Sequence, residues 1–451
     1  LFSNLTEMNG LSDINMLKII RRYLQKIKQN PFILQSLITL LLRVIGVFIL
    51  FGFTLFLTKN FDPKTVGQYD FVRSFLLVIC SICLLGCDQS ILYFRGRLKI
   101  SNTSSDLRSI YMKMVGIVYS MSVFLFVIAL SLDKEFINTF FADDGVYLIL
   151  LKATGILFFY ALTTLNIEVF RALDHLYVAE LFRNSIKYIP IIIGAVILYY
   201  FYDEAYLVDV FLFGFVILSA ITTSLVFYYF TQNEVKSDKE AVSYKEIISK
   251  SYPIAISGMA LFLLMSFDIM FLKKYRDDAS VAFYALAVKF MTIVSMVIIT
   301  VNITISTKIA EYFSNRNTIE LNRILRNSSR LIFMLTLPAT IIICLFSESI
   351  LGFFGKDYVA AKDALLILMI VQGICSAFGA VPIYLNMTGR QHVFQIILVL
   401  AVVVNFVLNR LLIPDYGMTG AAIAFVTSSF FWNITVASVI YRKDKVKVFL
   451  N

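Results

Sequence analysis

Apolar runs close to one bilayer thickness recur along almost the whole chain, separated by short polar segments. They cover residues 32–58, 66–94, 110–132, 146–170, 176–200, 207–230, 253–272, 281–307, 331–347, 364–387, 393–408 and 418–439, twelve candidates in all. A helix crosses ~30 Å of hydrocarbon in ~20 residues, and most of the runs reach that length. Two of them, 331–347 and 393–408, are shorter and need tilt or more generous boundaries. Strands of a membrane barrel would alternate apolar and polar residues over ~10 positions, which these runs do not do. In lipid the backbone must satisfy its own hydrogen bonds, so helices are the remaining choice. The pattern predicts an all-α polytopic membrane protein with about twelve transmembrane helices.

Composition agrees: 59% of the 451 residues are hydrophobic and only 16% are charged, a balance no water-soluble domain of this size needs. An even number of spans leaves both ends on one side. The segments on that side hold 24 Lys and Arg, against nine in the opposite loops. This bias predicts that both termini are cytoplasmic. It also accounts for much of the net charge of +10 as topology and lipid-headgroup charge, so no nucleic acid is expected as a partner. The residues before Pro31 are too polar and basic for a signal peptide, and the first span is expected to stay as an anchor. Cys80 and Cys83 have the spacing of a metal motif but lack a second pair, and His175 and His392 are the only histidines. Neither metal nor disulfide chemistry is expected. Without a GxxxxGK[ST] loop or a catalytic cluster, the chain reads as a transporter and not an enzyme, with no cofactor. Its energy then comes from a proton or sodium gradient, the membrane potential or downhill substrate flow.

An internal comparison organises the chain. Phe56, Leu57, Lys59, Asp62, Val66, Tyr69 and Phe75 recur as Phe271, Leu272, Lys274, Asp277, Val281, Tyr284 and Phe290, at a constant offset of 215. The repeat implies two six-helix bundles in parallel orientation, 31–230 and 251–441. They are joined by a polar cytoplasmic linker, 231–250, and flanked by basic cytoplasmic segments at 1–30 and 442–451. Parallel halves about an axis along the membrane normal are a transporter arrangement.

Ions inside the apolar runs suggest the cargo. Counting ~1.5 Å per residue from Pro31 places Arg43 ~18 Å deep, near the midplane. Glu180, Arg183 and Lys187 have the i, i+3, i+7 spacing of one helical face, with Lys187 deep in the fifth run. Arg73, Lys152 and Lys289 lie a turn or more inside their spans, Lys113 and Asp88 lie towards the cytoplasmic side, and Glu168 and Asp268 are nearer interfaces. Intramembrane ions are costly unless they are paired or have a function. Internal salt bridges, Glu180 with Arg183 foremost, are the competing account. The excess in the first bundle is positive, which suits a phosphate or pyrophosphate. Arg43, Arg73, Lys152, Arg183, Lys187 and Lys289 are the candidate substrate-binding residues. Asp88, Glu168, Glu180 and Asp268 are the candidates for coupling or gating.

Several stretches carry a family likeness: Asp62-Pro63-Lys64-Thr65-Val66-Gly67-Gln68-Tyr69, Gly86-Cys87-Asp88-Gln89-Ser90, and Asp268 followed by Val281-Ala282-Phe283-Tyr284 and Ala287-Val288-Lys289. The late run from Asn405 to Asn409, Leu412-Ile413-Pro414, Gly417 and Gly420-Ala421-Ala422 adds to them. In their order and topology these resemble the Wzx-like polysaccharide flippases of the multidrug/oligosaccharidyl-lipid/polysaccharide exporter superfamily. Ala282 departs from the Gly common in that second loop. The resemblance implies a MATE-like fold in a bacterial inner membrane. It also implies a monomeric carrier that moves undecaprenyl-pyrophosphate-linked oligosaccharide to the periplasmic leaflet, for O-antigen, lipopolysaccharide or another surface polysaccharide. A polysaccharide polymerase and a chain-length regulator are the implied partners, besides membrane lipids. Two relatives in the superfamily remain open: a lipid II flippase, which usually has fourteen spans, and a multidrug exporter, whose pocket should be acidic or aromatic.

Overall fold

The computed structural model describes residues 31–100, 107–232 and 242–446. The expected basic segment 1–30, residues 233–241 of the linker and the end of the tail lie outside these residues. Every long element is a helix, and no strand occurs among the described residues. Helix α1 (Pro31–Asn60) is followed by α2 (Pro63–Leu84), α3 (Cys87–Ile100), α4 (Leu107–Ser131), the short α5 (Lys134–Phe141), α6 (Val146–Ala172), α7 (Leu176–Asn184), α8 (Ile189–Phe201) and α9 (Leu207–Gln232). The rest of the chain forms α10 (Tyr244–Tyr275), α11 (Asp278–Ser314), α12 (Thr318–Leu345), α13 (Ser347–Phe354), α14 (Lys362–Ser376), α15 (Val381–Met387) and α16 (Gln391–Asp444).

Among the described residues, eleven helical segments are long and apolar enough to cross a membrane. The last, α16, has 54 residues and non-helical geometry at Gly417. Arg390 before its start and Asp444 at its end form an ion pair, whereas a straight helix of that length would hold them ~80 Å apart. The chain therefore doubles back at Gly417 and makes two passes, giving twelve. The side on which residues 232 and 244 lie is called here the linker side, and the opposite one the hairpin side.

Three details refine the reading from sequence, the first by bearing out the more generous boundaries and the other two by correcting it. The apolar runs 331–347 and 393–408 belong to full-length helices whose first turns are polar, Thr318 to Arg330 in α12 and Gln391 and His392 in α16. No special tilt is required. The run 66–94 is broken at Leu85 and Gly86, both with positive φ. The run 176–200 is interrupted at Ser185 by a 3-10 turn, Ile186–Tyr188, so Glu180, Arg183 and Lys187 do not share one continuous helical face.

The repeat is visible in local structure. Asp62 caps α2 by accepting from the Lys64 amide, and Asp277 caps α11 by accepting from the Ser280 amide. Each satisfies an otherwise orphaned amide at a helix start.

Helices α2 and α3 pack along α10 and α11 and join the first six passes to the last six. On the hairpin side the fit is tight enough to require glycine. A Cβ on Gly67 would stand 1.7 Å from the Asp278 carbonyl oxygen, and Gln68 Nε2 donates to Asp278 at 3.2 Å. On the linker side a Cβ on Gly86 would stand 2.4 Å from the Ser251 carbonyl oxygen. There Ser90 and Ser251 share a 2.6 Å hydroxyl bond, and Arg97 donates to Glu246. One apolar core runs through the first six passes and into the hairpin-side parts of the last six. A second core, with Ile305, Leu325, Tyr384 and Leu398, lies on the linker side of the last six passes alone. The two halves thus share packing mainly on the hairpin side.

Candidate functional site

Near mid-depth, a fully buried carboxylate stands at the junction of the halves. Asp70, in α2, accepts from Lys289 Nζ of α11 at 2.9 Å and faces Arg73 Nε at 3.4 Å. Arg73 lies ten residues inside α2, about 15 Å from its hairpin-side end. One Asp70 oxygen and the Arg73 Nε lack a hydrogen-bond partner. Tyr188 stands within electrostatic reach of Lys187, Arg73 and Lys289, with Lys187 Nζ 5.0 Å from its ring centre. Arg73 and Lys289 thus meet at Asp70, and Lys187, which follows the break at Ser185, lies against the ring of Tyr188.

Arg43 belongs elsewhere. Its Nε and Nη2 donate to the two oxygens of Glu180, both at 3.1 Å, and Asn184 Nδ2 also donates to Glu180 at 2.8 Å. Arg183 donates to Glu168, and Arg171 does so at 2.8 Å. Because Glu180 lies only four residues into α7, this network occupies the linker-side leaflet. Arg43 is 17 residues before the end of α1 at Asn60, ~26 Å from the hairpin side, which corrects its placement near the midplane. The bidentate geometry is that of a strong ion pair, and the network engages four of the ions read as substrate-binding or coupling groups, Arg43, Glu168, Glu180 and Arg183, with one another.

Lys152 pairs with Asp209 at 2.7 Å with both side chains well exposed, apart from either cluster. Asp88 borders a cavity of about 100 Å³ between the halves, lined by Ser81, Tyr160, Thr164 and Met259 among others, and accepts from Gln89 at 3.2 Å. Asp268 lies deep within the last six passes. It accepts from the Tyr284 hydroxyl at 2.8 Å, from Asn409 Nδ2 at 2.8 Å and from Asn405 Nδ2 at 3.4 Å. The Asn409 side-chain oxygen has no hydrogen-bond partner. No group of three His, Cys, Asp or Glu suited to a metal ion occurs among the described residues.

At the hairpin side Lys273 bridges Asp143 and Asp278. Burial alone would raise the Asp143 carboxyl, but hydrogen bonds from Lys273 and the Gly145 amide hold it below its ordinary value. Asp143 comes from the first half and Lys273 from the second, so this bridge also spans the junction.

A family described as polysaccharide biosynthesis protein matches residues 32–306, well over half of the chain. The protein belongs to that family. A second family, MatE, matches residues 253–411. Among curated proteins, the probable low-salt glycan biosynthesis flippase Agl15 of Haloferax volcanii is 26% identical over 177 residues, which span 38% of this chain and 37% of that protein. The match therefore covers little more than a third of the relative. Among solved structures, the lipid II flippase MurJ in an inward closed conformation superposes with a TM-score of 0.68 at 15% identity, covering 90% of this chain and 87% of the other. An inward-facing multidrug resistance MATE family transporter of the MOP superfamily gives 0.70 at 12% identity, with 91% and 99% covered. At such identities the likeness is one of fold. This member of the polysaccharide biosynthesis family has a MATE-like fold of many helices long and apolar enough to cross a membrane.

Asp70 is the site residue that sequence reading missed. Its signal was available: it precedes Arg73 by three residues and so shares its face. Asp209, the partner of Lys152, and Tyr188 were also missed, and neither has a comparable local signal.

Proposed function

We propose that this protein flips an anionic lipid-linked oligosaccharide, with the cargo's phosphate or pyrophosphate drawn to Arg73, Lys187 and Lys289. The observation that carries this reading is the meeting of Arg73 and Lys289 on one buried carboxylate at the junction, so that the cations outnumber the acid; Lys187 is included through its contact with Tyr188. Such a centre attracts phosphate through charge and multiple donors. The sugar crosses between the halves while the lipid tail stays in the bilayer, and the halves alternate in exposing the centre. Polyprenyl-pyrophosphate-linked repeat units of a surface polysaccharide, moved towards the periplasmic leaflet, are the specific cargo proposed. The glycan flippase relative and the matched family support that class.

Asp268 is proposed as the coupling residue. Its carboxylate and the unpartnered Asn409 oxygen form a buried oxygen-rich set, which suits a hard monovalent cation such as sodium, or a proton on the carboxyl. The second reading is a lipid II flippase or a cation-exporting multidrug transporter, and the structures of similar fold belong to those classes. The cationic centre counts against export of drug cations, because a pocket for them gains from acidic or aromatic walls. It does not separate lipid II from other pyrophosphate-linked saccharides.

Vesicles containing the purified protein and a fluorescent polyprenyl-pyrophosphate oligosaccharide, with lipid II and a cationic dye in parallel arms, provide the test. Transfer of the oligosaccharide that falls on changing Lys187→Ala is the expected result. Transfer of the dye alone would overturn the proposal, and transfer of lipid II alone would establish the second reading.

A further inference from the structure

Arg410 is the least comfortable ion of the chain. It lies seven residues before the reversal at Gly417, roughly 10 Å inside the hairpin-side turn, and its side chain is exposed on the outside of α16. It makes no ion pair or hydrogen bond among the described residues. A lipid-facing guanidinium at that depth is costly unless it reaches the interface or meets an anion.

Beside it runs a groove of about 390 Å³. Phe267, Phe271 and Lys274 project from one face of α10 at i, i+4 and i+7, and Phe406 shares the α16 face with Arg410 at i, i+4. Phe406 packs against Phe267 and Phe271 with ring centres 5.7 and 5.2 Å apart, forming an aromatic floor. Phe140 of α5 closes the wall from the first half of the chain, its ring centre 3.4 Å from Lys274 Nζ. Lys274 likewise has no carboxylate partner among the described residues. Two cations with no acid between them thus border a trough of rings on the bilayer-facing surface.

We propose that this groove binds an acidic phospholipid of the hairpin-side leaflet, with its phosphate held by Arg410 and Lys274 and an acyl chain lying on Phe267, Phe271 and Phe406. The guanidinium can fork two phosphate oxygens while the ammonium supplies a second charge. The surface position selects a bulk bilayer lipid, because the groove opens to the bilayer and is separate from the centre of Arg73, Lys187 and Lys289. Because Phe140 comes from the first half and the floor from the second, the bound lipid clamps the hairpin-side junction closed. It also lies behind the buried Asp268 set, which is carried by the same helices, α10 and α16.

Native mass spectrometry and thermal unfolding of the purified full chain test this, with phosphatidylglycerol and phosphatidylcholine of identical chains. The expected result is preferential binding of phosphatidylglycerol and a higher unfolding midpoint with it. Arg410→Gln should weaken that binding roughly tenfold, Arg410→Lys should weaken it less, and Lys356→Gln, an exposed hairpin-side lysine outside the groove, should not change it. Retained phosphatidylcholine binding and a normal midpoint in its presence would show that Arg410→Gln is folded. Equal binding of the two lipids by the unaltered protein, or an Arg410→Gln variant that keeps the preference, would overturn the proposal. So would stronger binding of a polyprenyl phosphate at equal mole fraction, which would reassign the groove to the carrier lipid.

Discussion

The linker-side network and the mid-depth centre both pair basic side chains with buried carboxylates, yet they differ in which helices those pairs join. In the first, Arg43, Arg171 and Arg183 face Glu168 and Glu180, and every link stays within the first six passes. In the second, Arg73 and Lys289 share Asp70, and the Lys289 link crosses between halves. A near-balanced network inside one half behaves as a fastener. A cluster that crosses the junction has to rearrange if the halves move as proposed. Membrane depth by itself does not distinguish the two; the crossing of the junction does.

The largest effect that would break this comparison is on folding. Arg43→Ala leaves Glu180 without its bidentate donor and should cost about 3 kcal/mol, read as a fall in folded protein recovered from membranes. Adding Glu180→Gln should restore much of that amount. Should Arg43→Ala instead leave abundance intact and abolish transport, the linker-side network would have to be counted as substrate-binding. Next, Lys187→Ala should leave abundance unchanged and lower transport of the lipid-linked saccharide about tenfold, ~1.4 kcal/mol in barrier terms. Wild-type rates at matched protein amounts would remove the mid-depth centre from the mechanism.

A smaller loss is expected from the cap that the two halves have in common. Asp277→Ala should destabilise the start of α11 by about 1 kcal/mol, and Asp62→Ala should act similarly on α2; thermal unfolding would compare them. The smallest effect is in pH. The Asp143 carboxyl is held below its ordinary value, so its contribution is fully present above the unfolded value of about 3.9 and is lost as pH falls through the lower folded one. The unfolding midpoint should therefore show no contribution of this bridge to any change between pH 8 and 5. Below about pH 4 it should fall more in the unaltered protein than in Asp143→Asn.

Fold class was legible because a bilayer imposes a length on every apolar run, and the twelve passes follow from that constraint alone. Boundaries were less so. The polar first turns of α12 carry Asn317, Glu320 and Arg323, which look like loop and are in fact a capped helix start. Depth counted along one helix misled for Arg43, because α1 is longer than the hydrocarbon is thick. Helical spacing misled for Lys187, since a single 3-10 turn after Ser185 changes its direction, and nothing in Ser185-Ile186-Lys187-Tyr188 announces that turn. Pairing across helices, Asp70 with Lys289 and Arg43 with Glu180, depends on which passes become neighbours, and a lone sequence does not encode that in any local pattern.

Gly67 against Asp278 and Gly86 against Ser251 place two points of bare backbone contact along the edge formed by α2 and α3, one near each face of the membrane. Under the proposed alternation of the halves, each contact has to release for the protein to open on its own side. A methyl group at either glycine would leave the cationic centre untouched and disfavour the orientation in which that contact is closed. A clash worth ~1.4 kcal/mol shifts the ratio of the two populations about tenfold.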